Sequence, residues 1–324
     1  MGLSWTNSCV SDRPLRPITG GRSNSKMIND QEILVLGLRL ALPKTPEARW
    51  RKWSLESQHK KFQNKYGSTH TTVLKIWKEL HTTTIDAARL FDKEKNPTYF
   101  LMSLYYLTKY PIFSDLADMF GVCEKTARTW VWPYIKKIRA LSPSKIIWPD
   151  RWNRSDTEKL LLSVDGIHFH IREPYHPTKV KDPKNYSHKN KQAGVDYEIG
   201  VSLWENKIVW FSGPWPAGKN DISIFKDGGL MDKIPEGKKG IADNGYKGHN
   251  GKLALSNSLD TEAVRLLKGR AKARQEQLNS RLRLFDCLDG RFRNRLDKHP
   301  IIFEAVLVLV QIQLDNNERP LFDV

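Results

Sequence analysis

The period of the apolar pattern changes once, near Asp156, and that change limits the chain to a helical part followed by a sheet-bearing part. Before it, apolar residues recur at three- and four-residue intervals. Glu32–Leu42, Thr45–Lys61 opened by Pro46, and Ser68–Leu80, where Val73, Ile76, Trp77 and Leu80 share a face, read as helices. Pro97 opens a further helix that carries Tyr99, Phe100, Met102, Leu104, Tyr105 and Leu107 and stops before Pro111. Phe113–Phe120 and Lys125–Leu141 follow, joined by Gly121-Val122-Cys123.

Beyond Asp156 the β-branched content rises. Lys159–Ile171 reads as a strand, Tyr197–Leu203 and Lys207–Gly213 as a hairpin around Glu205-Asn206, and Lys239–Ala242 as a short strand. A helix over Ile222–Lys233 lies between the last two strands, and helices over Lys268–Phe285 and His299–Leu314 close the chain. The expected fold class is α/β, a mixed sheet flanked by helices and preceded by an all-α domain. The expected boundaries are a disordered basic arm over 1–30, a helical domain over 31–142, a linker over 143–156 containing Pro143, Trp148, Pro149 and Trp152, and the α/β domain over 157–324.

Composition narrows the partner. The 324 residues include 53 Lys and Arg against 36 Asp and Glu, a net charge of +17, which favours a polyanion such as nucleic acid. Cys9, Cys123 and Cys287 are isolated, so a disulfide framework and a Cys-rich zinc site are excluded and a reducing, intracellular compartment is expected. The longest apolar run, Ile301–Val310 broken by Glu304, is far short of the roughly 20 residues of a membrane span, so no membrane partner is expected. Met1–Asn7 carries no basic stretch followed by an apolar one, so no signal peptide is expected.

The segment from Asp115 to Trp130 has the spacing of a helix-turn-helix at about 113–140. Ala117 stands where the helices cross, Gly121 at the turn, and Val122, Ala127 and Trp130 at the apolar offsets. Lys125, Arg128 and Thr129 then become the candidate DNA readers, Arg for guanine and Lys or Thr for phosphate. An ordinary helical hairpin accounts for the same glycine and alanines.

Three acids stand out. Asp165 ends the apolar run Leu162-Ser163-Val164 and is followed by Gly166; Asp243 repeats this in Gly240-Ile-Ala-Asp-Asn-Gly-Tyr246. An unpaired carboxylate at the end of a buried strand is costly, so a cation or partner charge is expected at each. Glu276 lies on the predicted Lys268–Phe285 helix, on a different face from Leu278, Leu282 and Phe285, and shares that face with Asn279 and Arg283. Asp165, Asp243 and Glu276 are the candidate catalytic and metal-binding residues, although a turn or cap explains either Asp alone and a solvated helix face explains the Glu. Hard oxygen ligands of this kind suit Mg²⁺ or Mn²⁺, two ions serving phosphodiester cleavage. Asp221 competes with Asp243 for second ligand; it opens a helix, so capping explains it, and an accessory role remains open for it and for Asn279. His168 and His170 lack the further ligands a zinc site requires. Lys179, Lys181, Lys184, Lys189 and Lys191 load one loop, and Arg265, Lys268, Arg270, Lys272 and Arg274 precede Glu276; of these Lys189, Lys191, Arg270, Lys272 and Arg274 are the candidate phosphate contacts, with solvated charge as the plainer reading of any one.

Ser163-Val-Asp-Gly-Ile-His168, Tyr197-Glu-Ile-Gly200, Gly213-Pro-Trp-Pro-Ala-Gly218, Asp221-Ile-Ser-Ile-Phe225, Ala242-Asp-Asn-Gly-Tyr246 and Ala273-Arg-Gln-Glu276, with Asn279 and Arg291-Phe-Arg293, together resemble the PIF/Harbinger-type DDE superfamily endonucleases over about residues 60–324. The resemblance implies an RNase H-like fold, with the first Asp on the first strand, the second on a neighbouring strand and the Glu on a later helix, places that Asp165, Asp243 and Glu276 match. It implies Mg²⁺ or Mn²⁺, cleavage at terminal inverted repeats of a transposon, insertion at a short target site, a nuclear location and often a separate Myb-like partner protein. A homo-oligomer is also expected. The family commonly sets this Glu in a Glu-Arg or His-Glu context, whereas Gln275 precedes it here, which leaves Asp286 and Asp289 as fallbacks at poorer spacing. The expected function is a DNA transposase that cuts and joins phosphodiester bonds; the alternatives are a domesticated descendant that binds DNA without turnover and a related nuclease that does not transpose.

Overall fold

A computed structural model describes residues 28–82, 96–154, 157–173 and 183–324. The expected arm up to residue 27 and the loop lysines Lys179 and Lys181 lie outside the described residues.

The helical part opens with α1 (Asp30–Ala41), where Asn29 and Glu32 form a reciprocal capping box. The single helix expected over Thr45–Lys61 is two, α2 (Glu47–Trp50) and α3 (Leu55–Tyr66). Ser54 causes the break by capping the second helix, its hydroxyl accepting from the Ser57 amide at 3.2 Å. Then come α4 (His70–Thr82), α5 (Pro97–Lys109), α6 (Phe113–Phe120), α7 (Glu124–Arg139) and α8 (Ser142–Lys145). Gly121, at φ +64°, ends α6 in the left-handed conformation, so α7 can leave at an angle. The expected linker over 143–156 is packed structure where it is described. Trp152 is fully buried and Trp148 nearly so, their rings meeting edge to face at 4.9 Å, because two indoles exposed on a spacer would forfeit a large apolar area.

Among the described residues the sheet has six strands, β1 (Leu160–His170), β2 (Tyr186–Ser187), β3 (Gln192–Ser202), β4 (Ile208–Pro216), β5 (Lys239–Ile241) and β6 (Leu253–Ala254). Their order is β2-β3-β1-β5-β6, with β4 also paired to β3. β1 is central, antiparallel to β3 and parallel to β5. The helix expected over Ile222–Lys233 divides into α9 (Asp221–Asp227) and α10 (Leu230–Lys233), because Gly229 at φ +90° leaves the helical region between them. Helices α11 (Glu262–Leu282), α12 (Asp286–Asp289) and α13 (His299–Asp315) complete the chain. A mixed sheet flanked by helices is the architecture expected from the sequence, and it is consistent with an RNase H-like DDE fold.

Strand alternation sends Ile167, Phe169, Tyr197, Ile199 and Val201 into one core and Val164 into another on the opposite face. The first core is shared: Ile33, Phe62, Leu104, Val131 and Ile135 of the helical part join Tyr197, Phe303, Val306 and Leu309 in one cluster. α13 is buried nearly all round. Polar ties cross the same seam, Arg139 donating to Glu304 at 2.8 Å, and Asn294 to the Tyr106 and Tyr110 hydroxyls at 2.9 and 2.8 Å. The second core, with Trp148, Trp152, Val164, Val209, Phe225 and Tyr246, supports α9 and the turn after β5.

Candidate active site

Strand register brings the two aspartates together. Ser163 of β1 lies beside Ile241, the last residue of β5, in a parallel pair; Asp165 follows two residues on, in the middle of β1 rather than at the strand end expected from the sequence, and Asp243 lies two residues beyond β5, near enough for its charge to act on Asp165. Asp165 leaves the sheet toward α11, where Asn279 Nδ2 donates to its Oδ2 at 3.1 Å. The helix is held there by Gln275, which accepts from the Ser163 hydroxyl at 2.8 Å and donates to the Ile199 carbonyl at 3.3 Å. Asp243 is exposed and caps the turn that follows it, Oδ1 accepting from the Gly245 amide at 2.8 Å. Capping thus occupies one of its oxygens.

Asp221 joins them from α9. A Cβ placed on Gly166 would stand 2.9 Å from Asp221 Oδ1, and one placed on Gly245 would stand 2.6 Å from Asp221 Oδ2 and 3.0 Å from Asp243 Oδ1. Burial pushes the Asp165 carboxyl up to about 6, helped by the negative charges of Asp243 and Asp221 and opposed by the Gly166 amide and Lys189. The Asp221 carboxyl is raised by burial first and then by Asp243, with Lys189 opposing.

A cleft of about 420 Å³ opens over this group, lined by Asp165, Asp243, Asn244, Lys189, Lys272 and Gln275 among others. Lys268 also reaches it but is tied to both oxygens of Asp260 at 2.8 and 2.9 Å. Acid at the base and lysine at the rim suit a phosphate held over a cation.

The sequence candidates separate into those gathered here and those elsewhere. Asp165, Asp243, Lys189 and Lys272 line the cleft, with Asn279 bonded to Asp165 and Asp221 beside Gly166 and Gly245 just outside its wall. Glu276 is exposed on α11, one residue past the inward-facing Gln275, and is not part of the cleft wall. Lys191 and Arg270 are exposed. Arg274 is 2% exposed, and its guanidinium donates to the carbonyls of Ser202, Glu205 and Phe322, so the expected phosphate contact is instead a clamp between α11, the β3–β4 turn and the C-terminal segment. Its position in a basic run concealed this, because charge in a sequence says nothing of burial. Lys125, Arg128 and Thr129 line a shallow concavity at the start of α7, where Arg128 is paired with Glu124 and stacked on Phe113 at 4.4 Å. His168 holds Asp196 at 2.7 Å.

Two residues of this region escaped the sequence reading. Glu198 is fully buried opposite Gly166, with Oε2 accepting from Trp210 at 3.3 Å and Oε1 without a partner among the described residues; burial pushes its carboxyl up to about 8. Tyr246 is fully buried and its hydroxyl also lacks a partner there. Both stand in motifs that carry the resemblance, Tyr197-Glu-Ile-Gly200 and Ala242-Asp-Asn-Gly-Tyr246, and a Glu inside the β-branched run of β3 was a further signal for the first.

Residues 164–311 match the family described as DDE superfamily endonuclease. The match runs from the residue before Asp165 into α13 and spans Asp221, Asp243, Glu276 and Asn279, which supports the DDE superfamily named by the sequence resemblance. No curated protein and no solved structure matches the chain. Members of a DDE superfamily require divalent cations, and the residues present fit one. Among the described residues no three His, Cys, Asp or Glu side chains form a ready cage. Mg²⁺, however, ordinarily takes one or two carboxylates from the protein and completes its shell with water and phosphate oxygens. Asp165 and Asp243 supply that number, and their mutual repulsion is what a cation would relieve.

Proposed function

We propose that the chain is a DDE transposase, a divalent-metal-dependent DNA endonuclease that cuts and joins phosphodiester bonds at transposon ends. The observation that carries this reading is the closeness of Asp165, on the central strand β1, to Asp243, in the turn that follows the neighbouring parallel strand β5, in a lysine-lined cleft inside the segment that matches the DDE superfamily endonucleases. Asp165 and Asp243 would hold Mg²⁺ or Mn²⁺, with Glu276 turning in from α11 as the third carboxylate. When bound, two such ions would sharpen an attacking water or 3′ hydroxyl and stabilise the leaving oxygen.

The chain's own groups do the rest. Asn279 fixes one oxygen of Asp165 and so fixes the direction of the other. Lys189 and Lys272 hold the backbone phosphates on either side of the scissile bond, and Arg270 and Lys191 extend the track. The α6–α7 pair acts as a helix-turn-helix, presenting Lys125, Arg128 and Thr129 to element-end DNA; Arg128 must leave Glu124 to read a base. We further propose the Harbinger-type subfamily, a nuclear site of action, a homo-oligomer joining two ends, and a Myb-like partner.

Excision from a donor plasmid carrying the element ends tests the reading. Wild type should excise in Mg²⁺ or Mn²⁺ while Asp165→Ala and Asp243→Asn do not. Binding of the ends without nicking by wild type would favour a domesticated, non-cutting descendant, and nicking without excision would favour a nuclease that does not transpose.

A further inference from the structure

The turn after β5 does not close the cleft. Residues 244–252, Asn-Gly-Tyr-Lys-Gly-His-Asn-Gly-Lys, carry glycine at every third position, 245, 248 and 251. At Gly248, whose φ of +119° favours glycine, and at Gly251, an added Cβ would meet nothing within 4 Å, so this stretch of main chain faces open space. The amides of Asn250 and Gly251 donate to no other described residue. Bare main chain of this kind lets another backbone come close, and free amides favour an anionic one.

Over the turn runs a groove of about 680 Å³ that continues the cleft, since Asn244, Ser256 and Lys268 belong to the walls of both. Its far wall is the loop before α11. Lys268 pins that loop, donating to the Leu255 carbonyl at 2.6 Å and to both oxygens of Asp260, which in turn accepts from the Asn257 amide at 2.9 Å. Asp260 is the one acid among the described residues of the groove wall, and Lys268 neutralises it. Lys239 and Lys247 line the same groove, and their ammonium groups have no ion pair or hydrogen bond among the described residues. Lys252, by contrast, is tied to the Ile234 carbonyl and to Glu236 at 2.7 and 3.2 Å. The groove thus keeps a positive charge that the fold does not use.

We propose that this groove, between the turn after β5 and the loop before α11, holds the DNA that flanks the cut, beyond the scissile phosphate, by its sugar-phosphate backbone. The proposal rests on the DNA-cutting reading of the neighbouring cleft. The groove lies at the β6 edge of the sheet, whereas the helical half with its α6–α7 pair shares its core with α13 and β3. A strand that reaches the cleft from the helix pair then leaves it along the groove. A cut at the boundary of an element separates DNA of fixed sequence from flanking DNA whose sequence differs at every insertion. A grip on the flank has to ignore sequence, and lysines with main-chain amides hold phosphate without reading bases.

The test compares two duplexes by fluorescence anisotropy, with full-length protein and no divalent metal, so that neither is cut. Both carry the same element end; one stops at the cleavage position and the other continues into arbitrary flanking sequence for one helical turn, about 10 base pairs. Wild type should bind the flanked duplex about tenfold tighter, with a slope of log affinity on log salt steeper by about 2, the share of two lysine–phosphate contacts. A change of flank sequence should leave that gain intact. The double variant Lys239→Glu, Lys247→Glu should lose both the gain and the added slope while its Tm and its affinity for the unflanked duplex stay at wild-type values. Asn250→Glu, at an exposed position, should reduce the gain without touching the half-buried Lys239. Equal wild-type affinity for the two duplexes, a gain that survives these variants, or a gain confined to one flank sequence would overturn the role of the groove; the cleft reading would still stand if Lys189→Glu and Lys272→Glu weaken binding of the unflanked duplex. Wild type that binds neither duplex would overturn the DNA-cutting reading and this inference with it.

Discussion

A carboxylic acid that is hard to ionise in the folded chain reports on its surroundings through stability. Asp165 is raised to about 6, so the folded protein holds its proton more tightly than the unfolded chain does. The sign follows: the stabilising contribution is present below the unfolded carboxylate range and is lost as pH rises through about 6. In the absence of divalent metal, Asp165→Asn should therefore raise stability at pH 7.5 by something on the order of 2 kcal/mol and have little effect near pH 4, as denaturant titrations at the two pH values would show. Unchanged stability at pH 7.5 would contradict the crowding of carboxylates described above. Glu198, raised to about 8, should make the wild type lose stability as pH rises from the ordinary carboxylate range through about 8 and level off above it, a loss that Glu198→Gln removes. Asp165 and Asp243 were legible because each ends an apolar run and precedes or nearly precedes glycine. Asp221 was less so, since Asn220 and Asp221 are both good caps and only coordinates say which one caps. Arg274 was misread because its neighbours in sequence are exposed while it is not.

At the level of elements, the site depends on how α11 lies against the sheet. Gln275 bridges Ser163 and Ile199, Arg274 grips the β3–β4 turn and the C-terminal segment, and Asn279 reaches Asp165 one turn further on. Gln275→Ala leaves the buried Ser163 hydroxyl and Ile199 carbonyl without this partner and should cost about 1–3 kcal/mol in chemical denaturation, with a fall in cleavage rate larger than the fall in DNA affinity. Arg274→Lys should be comparably destabilising, because a single ammonium cannot span acceptors that a planar guanidinium reaches at once. A change confined to DNA affinity in that variant would restore the phosphate-contact reading. Long helices and the central strand were visible through periodicity. The two-residue strands β2 and β6 were not, since two residues define no period, and the breaks at Ser54 and Gly229 were passed over because apolar spacing continued across them.

For the whole molecule, the change of pattern near Asp156 marks a change of secondary structure without marking a gap in the core. α13 is enclosed by helices of the first half and by the sheet of the second. Full-length protein should therefore unfold in one cooperative calorimetric transition, and a fragment over 157–324 should be insoluble or bind a hydrophobic dye, because its exposed α13 face would lack Val131, Ile135 and their neighbours. Two separate transitions, or a soluble and cooperative fragment, would restore two independent domains. The net charge of +17 adds a second expectation at this scale: affinity for duplex DNA should fall steeply between low and physiological salt, and Lys125→Glu should reduce the slope as well as the affinity.

Anomalous diffraction at the manganese edge, from crystals of the protein grown with Mn²⁺ and an oligonucleotide, would examine the acidic centre without recourse to activity. The expected result is a peak within coordinating distance of Asp165 and Asp243, with a phosphate oxygen on its open side. Peaks only at remote surface carboxylates, with those two aspartates unliganded beside bound DNA, would contradict it.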